Sequence, residues 1–341
     1  MTTMSDVAKL AQVSPGIVSR LLNEDETLRI RDETRERVLA AAKELDYTPN
    51  FAARALRMSK VGVIGLAVHD ASNPVYSEII EGAQAEATRA GYALMLADVD
   101  ALATDDRLFK RFMSSGAVDG LLLQRAGTAS DSFVTRVASE RVPTVLLNDR
   151  TTGRIGSVAA DDYAAAFLAT RHLIGLGHRE IGILQVDGVR NRSDRRTRGW
   201  RDALKQAGLE ARKSQVTMGG HTADQGWQGM HEMLAQPERP TAVFAANVLA
   251  AVGAVRACQD ARLEVPGGMS IIGLHDVFLA EYLTPRLTVV RLPLFELGAQ
   301  AVRLLLEQRE SGEARHLTLT DPAPVLVVRG STSPPETRQY A

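Results

Sequence analysis

From Val61 onward the chain repeats one alternation, and that alternation decides the architecture. Seven apolar runs of five to eight residues, VGVIGLAV, YALMLAD, GLLLQ, TVLLN, IGILQV, AVFAAN and SIIGL, are nearly free of charge. A run of this kind has no polar face to give to water, so it suits a strand covered on both sides, as in a parallel sheet. Between them, Ser77 to Ala90 and Tyr163 to Leu176 carry helical spacing. Strands alternating with helices build doubly wound parallel sheets with helices on both faces. The expected body is α/β.

The first sixty residues obey a different rule. Thr3, three residues before Asp6, starts a short helix carrying Val7, Leu10 and Ala11. After a break at Gln12-Val13, Ser14 can cap a second helix whose first position, Pro15, needs no N–H partner. A third helix is expected from Asp32 to Leu45, with Val38, Leu39, Ala42 and Leu45 on its apolar face. Ile17, Val18 and Leu21 then face inward, leaving Pro15, Gly16, Ser19 and Arg20 on the outer face of the second helix. Two short helices joined by a tight turn make a helix-turn-helix, whose outer face suits a DNA groove.

Between head and body, Tyr47-Thr48-Pro49-Asn50 breaks the third helix, and Asn50 can cap a short stretch ending near Arg57. About eight residues are too few for a stable isolated helix. Net charge is −1, and residues 1–60 hold ten basic against nine acidic side chains. One head therefore has little electrostatic pull, and affinity for DNA should depend on pairing two heads. The single cysteine, Cys258, excludes an internal disulfide and a Cys-based zinc site. The start MTTMSDVAKL has no apolar signal core and no run approaches a membrane span, so a cytoplasmic protein is expected.

The order of motifs resembles the lactose-repressor (LacI/GalR) family over nearly the whole chain. The resemblance lies in MSDVAKLAQVSPGIVSRLLN, TRERVLAAAKELDYTPNFAARAL, NPVYSEIIEGAQ, HLIGLGHREIGIL, a Gly-Trp turn at Gly199-Trp200, and VLVVRGST. It implies a three-helix helix-turn-helix head over residues 1–48, a hinge helix and linker over 49–60, and a two-lobed body like the periplasmic binding proteins. The implied lobes are 61–160 plus 291–322 and 161–290 plus 323–333, followed by a flexible tail at 334–341.

What the resemblance implies for DNA is specific. Arg20 matches a base-reading arginine suited to a guanine edge, and Leu56 a leucine that wedges between base pairs of the minor groove. Pro15 and Gly16 occupy the variable specificity positions without a side-chain hydrogen-bonding group. Thr3, Ser14, Ser19, Asn23, Asn50, Ala53 and Arg57 complete the expected DNA-binding set.

Ligands of open α/β sheets bind beyond the carboxyl ends of strands, here the loops after Val68, Leu123, Leu147, Val186, Ala246 and Leu274. On those loops the resemblance implies effector contacts from Val75, Tyr76, Gln124, Asp149, Arg190, Arg192, Arg196, His221, Asn247 and His275. His275 stands where the family usually has an aspartate that binds sugar hydroxyls. With Arg190, Arg192, Arg195, Arg196 and Arg198 crowded near one loop, a sugar acid or sugar phosphate becomes a candidate effector. The competing reading turns several of these arginines outward, into surface pairs with Asp194 and Asp202.

No G-x-S-x-G elbow, P-loop or G-x-G-x-x-G fingerprint is present, and Asp161-Asp162 reads as a helix start rather than a catalytic pair. An enzyme is not expected, nor a cofactor or metal. The expected partners are double-stranded operator DNA, a small-molecule effector and a second copy of the chain, with no membrane. The expected function is a ligand-responsive transcriptional regulator, a repressor on the resemblance. The alternative is a solute-binding receptor built on the same body.

Overall fold

The computed structural model describes residues 2–22, 25, 27–47, 61–113, 116–125, 131–151, 153–186 and 190–336, except the side chains of 190–193. The chain forms two compact units, Met1–Val61 and Gly62–Ala341. The hinge stretch 49–60 and most of the tail lie outside the described residues.

In the first unit, α1 (Met4–Leu10), α2 (Pro15–Leu22) and α3 (Asp32–Glu44) pack around Val7, Ala8, Ala11, Val18, Leu21, Val38, Ala41 and Ala42. Thr3 and Asp6 form a reciprocal cap: Thr3 Oγ1 accepts the Asp6 N–H at 3.3 Å and Asp6 Oδ2 accepts the Thr3 N–H at 2.8 Å. The turn after α1 places Gln12 at φ 54°, so that the Val13 N–H reaches back to the Ala8 carbonyl at 3.0 Å. Asp46 at φ 44° and Tyr47, bonded to the Ala42 carbonyl, end α3 in the same way.

Three expected orientations are corrected. Leu10 and Leu39 are exposed, and Ser19 is buried. The buried stripe of α3 runs through Val38, Ala41 and Ala42, with Leu45 half-buried, which is the true i, i+3, i+4, i+7 spacing; Leu39 sits 100° away. In α2 the inward arc covers Val18, Ser19 and Leu21, while Ile17 is only half-buried.

The second unit holds two six-stranded sheets. The first contains β1 (Val63–Val68), β2 (Ala93–Asp98), β3 (Gly120–Gln124), β4 (Thr144–Leu147), β5 (Gly156–Ala160) and β11 (His316–Leu319), ordered β11-β5-β4-β3-β1-β2 and parallel throughout. The second contains β6 (Ile181–Gln185), β7 (Val216–Met218), β8 (Ala242–Ala245), β9 (Ser270–Leu274), β10 (Thr288–Arg291) and β12 (Val325–Val327), ordered β12-β10-β9-β8-β6-β7. Only β12 is antiparallel to its neighbour there. The chain thus passes between the sheets after β5, after β10 and between β11 and β12.

Helices cover both faces: α4 (Val75–Arg89), α5 (Val99–Thr104), α6 (Asp106–Met113), α7 (Asp131–Ser139), α8 (Asp162–Gly175), α9 (Arg190–Gln206), α10 (Ala223–Leu234), α11 (Val248–Asp260), α12 (Leu279–Tyr282) and α13 (Leu294–Ser311). The apolar runs are buried as their lack of a polar face requires, except β2, where Met95 and Leu96 are exposed. Gly199-Trp200 is not a turn, because both residues lie inside α9. A Cβ on Gly199 would sit 2.4 Å from the Tyr163 carbonyl of α8, so the glycine lets two helices touch, and Trp200 is fully buried with Nε1 donating to the Ile181 carbonyl.

Candidate ligand cleft and DNA-reading face

On the head, Ser14, Pro15 and Gly16 are exposed at the start of α2, and Thr3 is exposed at the start of α1. A Cβ on Gly16 would meet nothing nearer than Ser14 Oγ at 3.8 Å, so packing does not demand the glycine. Ser19 is 4% exposed and leaves the outer face. Arg20 remains on it, with its side chain 47% exposed. Its Nε donates to Asp25 Oδ2 at 2.7 Å and its Nη2 to Thr27 Oγ1 at 2.9 Å. Asn23, Asn50, Ala53, Leu56 and Arg57 lie outside the described residues.

In the body, a cleft is lined by Val68, Asn73, Val75, Tyr76, Ile79, Gln124, Leu147 and Asn148 from the β1–β5 lobe and by Arg196, His221, Asn247 and His275 from the β6–β10 lobe. Most of these residues follow strand ends or open helices, where amide N–H groups and helix dipoles point into the gap. The space between these residues, including its open mouth, is about 470 Å³.

Each wall is held by its own bonds. Gln124 bridges the first wall: Oε1 accepts the His69 N–H at 3.0 Å and Nε2 donates to the Tyr76 hydroxyl. Asn73 Oδ1 accepts the Val75 N–H at 3.1 Å and Asn148 Oδ1 the Ala160 N–H at 3.1 Å. On the second wall Asn247 caps α11 through the Leu249 N–H at 2.8 Å, and the His221 N–H donates to Gln225 Oε1 at 2.8 Å. His275 is 2% exposed at φ 79°, a left-handed conformation held by its N–H bond to the Val290 carbonyl at 2.9 Å.

Arg196 is the charged centre. It is 2% exposed, with Nε 2.9 Å and Nη2 2.8 Å from Asp162 Oδ1, and Nη1 donates to the Ala246 carbonyl at 2.6 Å. Arg195 Nη2 meets the other oxygen of Asp162 at 2.9 Å. Two guanidinium groups thus share one fully buried carboxylate, an arrangement with net positive charge. Arg198 instead points outward, 73% exposed and 3.5 Å from Asp202. The side chains of Arg190 and Arg192 lie outside the described residues.

Of the expected effector contacts, Val75, Tyr76, Gln124, Arg196, His221, Asn247 and His275 come together. Asp149 does not line the cleft: it is 1% exposed and ion-paired with Arg125 Nε at 2.8 Å. The backbone at Asn148 turns to φ 50° and presents Asn148 instead, one residue earlier. Asn73, Ile79, Leu147 and Asp162 were missed. Asn148 and Leu147 could have been found by taking the residues at the strand end itself; nothing in the sequence ties Asp162 to arginines more than thirty residues away.

Among the described residues no cluster of three or more His, Cys, Asp or Glu could hold a metal ion, and no helix is long and apolar enough to cross a membrane. Residues 3–50 match the family described as bacterial regulatory proteins, lacI family, and residues 170–332 match a periplasmic binding protein-like domain. The chain is 32% identical over 97% of its length to the HTH-type transcriptional repressor PurR of Haemophilus influenzae strain PittEE, covering 98% of that protein. The chain belongs to the LacI family.

Solved structures of LacI-type regulators follow the same path. The crystal structure of the lac repressor dimer bound to operator and the anti-inducer ONPF superposes with a TM-score of 0.81 at 26% identity, over 97% of this chain and 99% of that one. The CelR–cellobiose complex gives 0.72 at 29% identity, over 97% and 100%. This LacI-family protein is a DNA-binding, ligand-responsive transcriptional regulator, and the receptor alternative is not favoured.

Proposed function

We propose that the protein is a dimeric repressor whose operator affinity is set by an acid-bearing small molecule, a sugar acid or sugar phosphate, in the interlobe cleft. The observation that carries the effector class is the lining itself. Arg196, His221 and His275 face the cleft, and among the described residues no carboxylate does. The two nearby buried aspartates, Asp149 and Asp162, are already paired with arginines. A donor-rich lining without acceptor carboxylates favours a ligand that brings its own negative charge.

A second copy is supported by apolar side chains left in water. Met95 and Leu96 on the edge strand β2, and Phe278 and Tyr282 around α12, are between 36% and 82% exposed. A nearly neutral head agrees with a paired one. A dimer presents two heads to a near-palindromic operator, with Arg20 toward a base and Leu56 as the minor-groove wedge. The cleft is lined by both lobes, so whatever lobe pose the ligand prefers changes operator affinity by the same factor as ligand affinity.

Titration calorimetry of the full chain with gluconate, galacturonate and glucose 6-phosphate against glucose and galactose tests the effector class. Acids are expected to bind in preference to neutral sugars, and His275→Asp to weaken the acid at least tenfold. Tight neutral-sugar binding indifferent to His275→Asp and Arg196→Lys overturns it. Sedimentation of Leu96→Glu tests the dimer: dissociation is expected at concentrations where the parent protein remains paired.

A further inference from the structure

Arg20 has five N–H donors, and the two edges of its guanidinium differ. The Nε edge is already taken: Nε by Asp25 Oδ2 at 2.7 Å and Nη2 by Thr27 Oγ1 at 2.9 Å. Asp25 Oδ1 in turn accepts the Thr27 hydroxyl at 2.6 Å and the Thr27 N–H at 2.9 Å, so the three side chains form one closed circuit. Asp25 itself is tied to the helix that carries the arginine, since its N–H donates to the Arg20 carbonyl at 3.0 Å, and the Leu28 N–H donates to the Asp25 carbonyl at 2.9 Å. What the circuit leaves over is the opposite edge, Nη1 with the second Nη2 hydrogen, the parallel fork that matches O6 and N7 of guanine.

We propose that Asp25 and Thr27 are positioning residues for operator specificity: they clamp one edge of Arg20 so that the other is presented to a base. An unclamped arginine must give up rotamer freedom on binding and has equal access to phosphates, whereas a clamped one has surrendered that freedom in advance. Asp25 is suited to the task because the bonds from Arg20 and Thr27 hold its carboxyl down at about 2, so it stays charged through the working pH range. Its charge also has a cost, since a carboxylate beside the groove repels phosphates. The clamp therefore trades raw affinity for selectivity. The proposal rests on the reading that α2 enters the major groove with Arg20 toward a base.

Binding-site selection from randomised duplexes with the full-length dimer gives the preferred site, and single base-pair variants of that site measure discrimination. Arg20→Ala is expected to lose discrimination at one base pair in each half-site, roughly tenfold or more. Asp25→Asn is expected to weaken discrimination at that same base pair about fivefold while raising affinity for unrelated duplex, two opposite effects that simple loss of structure does not produce. Thr27→Val should weaken it with unchanged affinity for unrelated duplex, and Thr27→Ser should restore it. Discrimination kept within about twofold in Asp25→Asn and Thr27→Val, or lost evenly across the site, overturns the clamp while Arg20→Ala still acts at one position. If Arg20→Ala changes no base preference, the underlying groove reading fails instead.

Discussion

Strand β4 of the first lobe and β9 of the second each take the third place in their sheets, and each ends in a left-handed residue followed by an aspartate. Asn148, at φ 50°, donates its N–H to the Val158 carbonyl at 2.7 Å; His275, at φ 79°, donates to the Val290 carbonyl at 2.9 Å. The following aspartates are both tied to arginine, Asp149 to Arg125 at 2.8 Å and Asp276 to Arg291 at 2.6 Å and Arg329 at 2.8 Å. The backbone corner is the same and the side chain on it is not. Asn148 spends its amide oxygen on the Ala160 N–H, within its own lobe. His275 sets a large imidazole against the cleft in a conformation that costs a non-glycine residue on the order of 1 kcal/mol. The same corner thus carries an amide spent on its own lobe in one sheet and an imidazole set against the cleft in the other.

The sharpest break between the lobes lies in their buried ion pairs near the cleft. Removing Arg196 strips one of two partners from the fully buried Asp162, so Arg196→Ala is expected to cost about 3 kcal/mol. Arg125→Ala, whose side chain is 19% exposed and whose partner Asp149 also accepts the Arg150 N–H, should cost about half as much. Urea midpoints of the two variants decide it, and equal losses would mean that the lobes rest on equivalent pairs.

The corners themselves come next. Asn148→Ala leaves the Ala160 N–H buried without its acceptor and replaces asparagine, which tolerates positive φ, with a residue that does so less readily, a loss of about 2 kcal/mol. His275→Gly removes the strain and should leave stability within about 1 kcal/mol of the parent while abolishing the effector response. The pair is read by thermal melting together with ligand-dependent operator binding. Comparable destabilisation by both would show that His275 serves the fold and not the ligand.

These corners also mark where the sequence was legible. An apolar run such as GLLLQ or SIIGL carries its own burial in its composition, so the central strands could be placed without coordinates. GSVAA and HLTL, which form β5 and β11, are short and small or half-polar, and local pattern did not expose them. The cleft follows the rule that ligands gather beyond strand ends, yet Asn148 lines it and the expected Asp149 does not, because a positive φ at Asn148 turns the next side chain away. Helix sidedness was the weakest point. Leu39 looked like core by hydrophobicity, whereas the smaller Ala41 holds the inward position by phase.

Acid should separate the lobes. In the second lobe His178 Nε2 donates to the Ser333 carbonyl at 2.9 Å while its Nδ1 meets Thr241 Oγ1 at 2.8 Å, and His172 meets Thr332 Oγ1 at 3.0 Å, so both pin the segment after β12. Burial depresses both imidazoles below the ordinary 6.5. The unfolded chain then binds more protons, so their contribution is complete above about 6.5 and is lost as pH falls through that value toward the folded ones. Amide exchange at pH 7.5 and 5.5, corrected for intrinsic rate, should show β6 and β9 losing protection before β1 and β3. Equal loss in both sheets would place the acid-sensitive groups elsewhere.

The smallest effect is the most pointed test of how α9 divides its charges. Arg196 and Arg198 are two residues apart, hence on opposed faces of one helix, and differ in exposure from 2% to 73%. Arg198 lies 3.5 Å from Asp202 one turn on, a solvent-screened pair with entropy to lose. Arg198→Ala should therefore change stability by less than about 0.5 kcal/mol and leave ligand binding intact. Because Arg198 also lies 5.4 Å from the Tyr163 ring of α8, a larger loss would mean that its stem packs the α8–α9 contact and does not act as a charge. Arg198→Met, which keeps the stem and drops the charge, separates the two: recovery of stability assigns the loss to packing, and no recovery assigns it to the guanidinium.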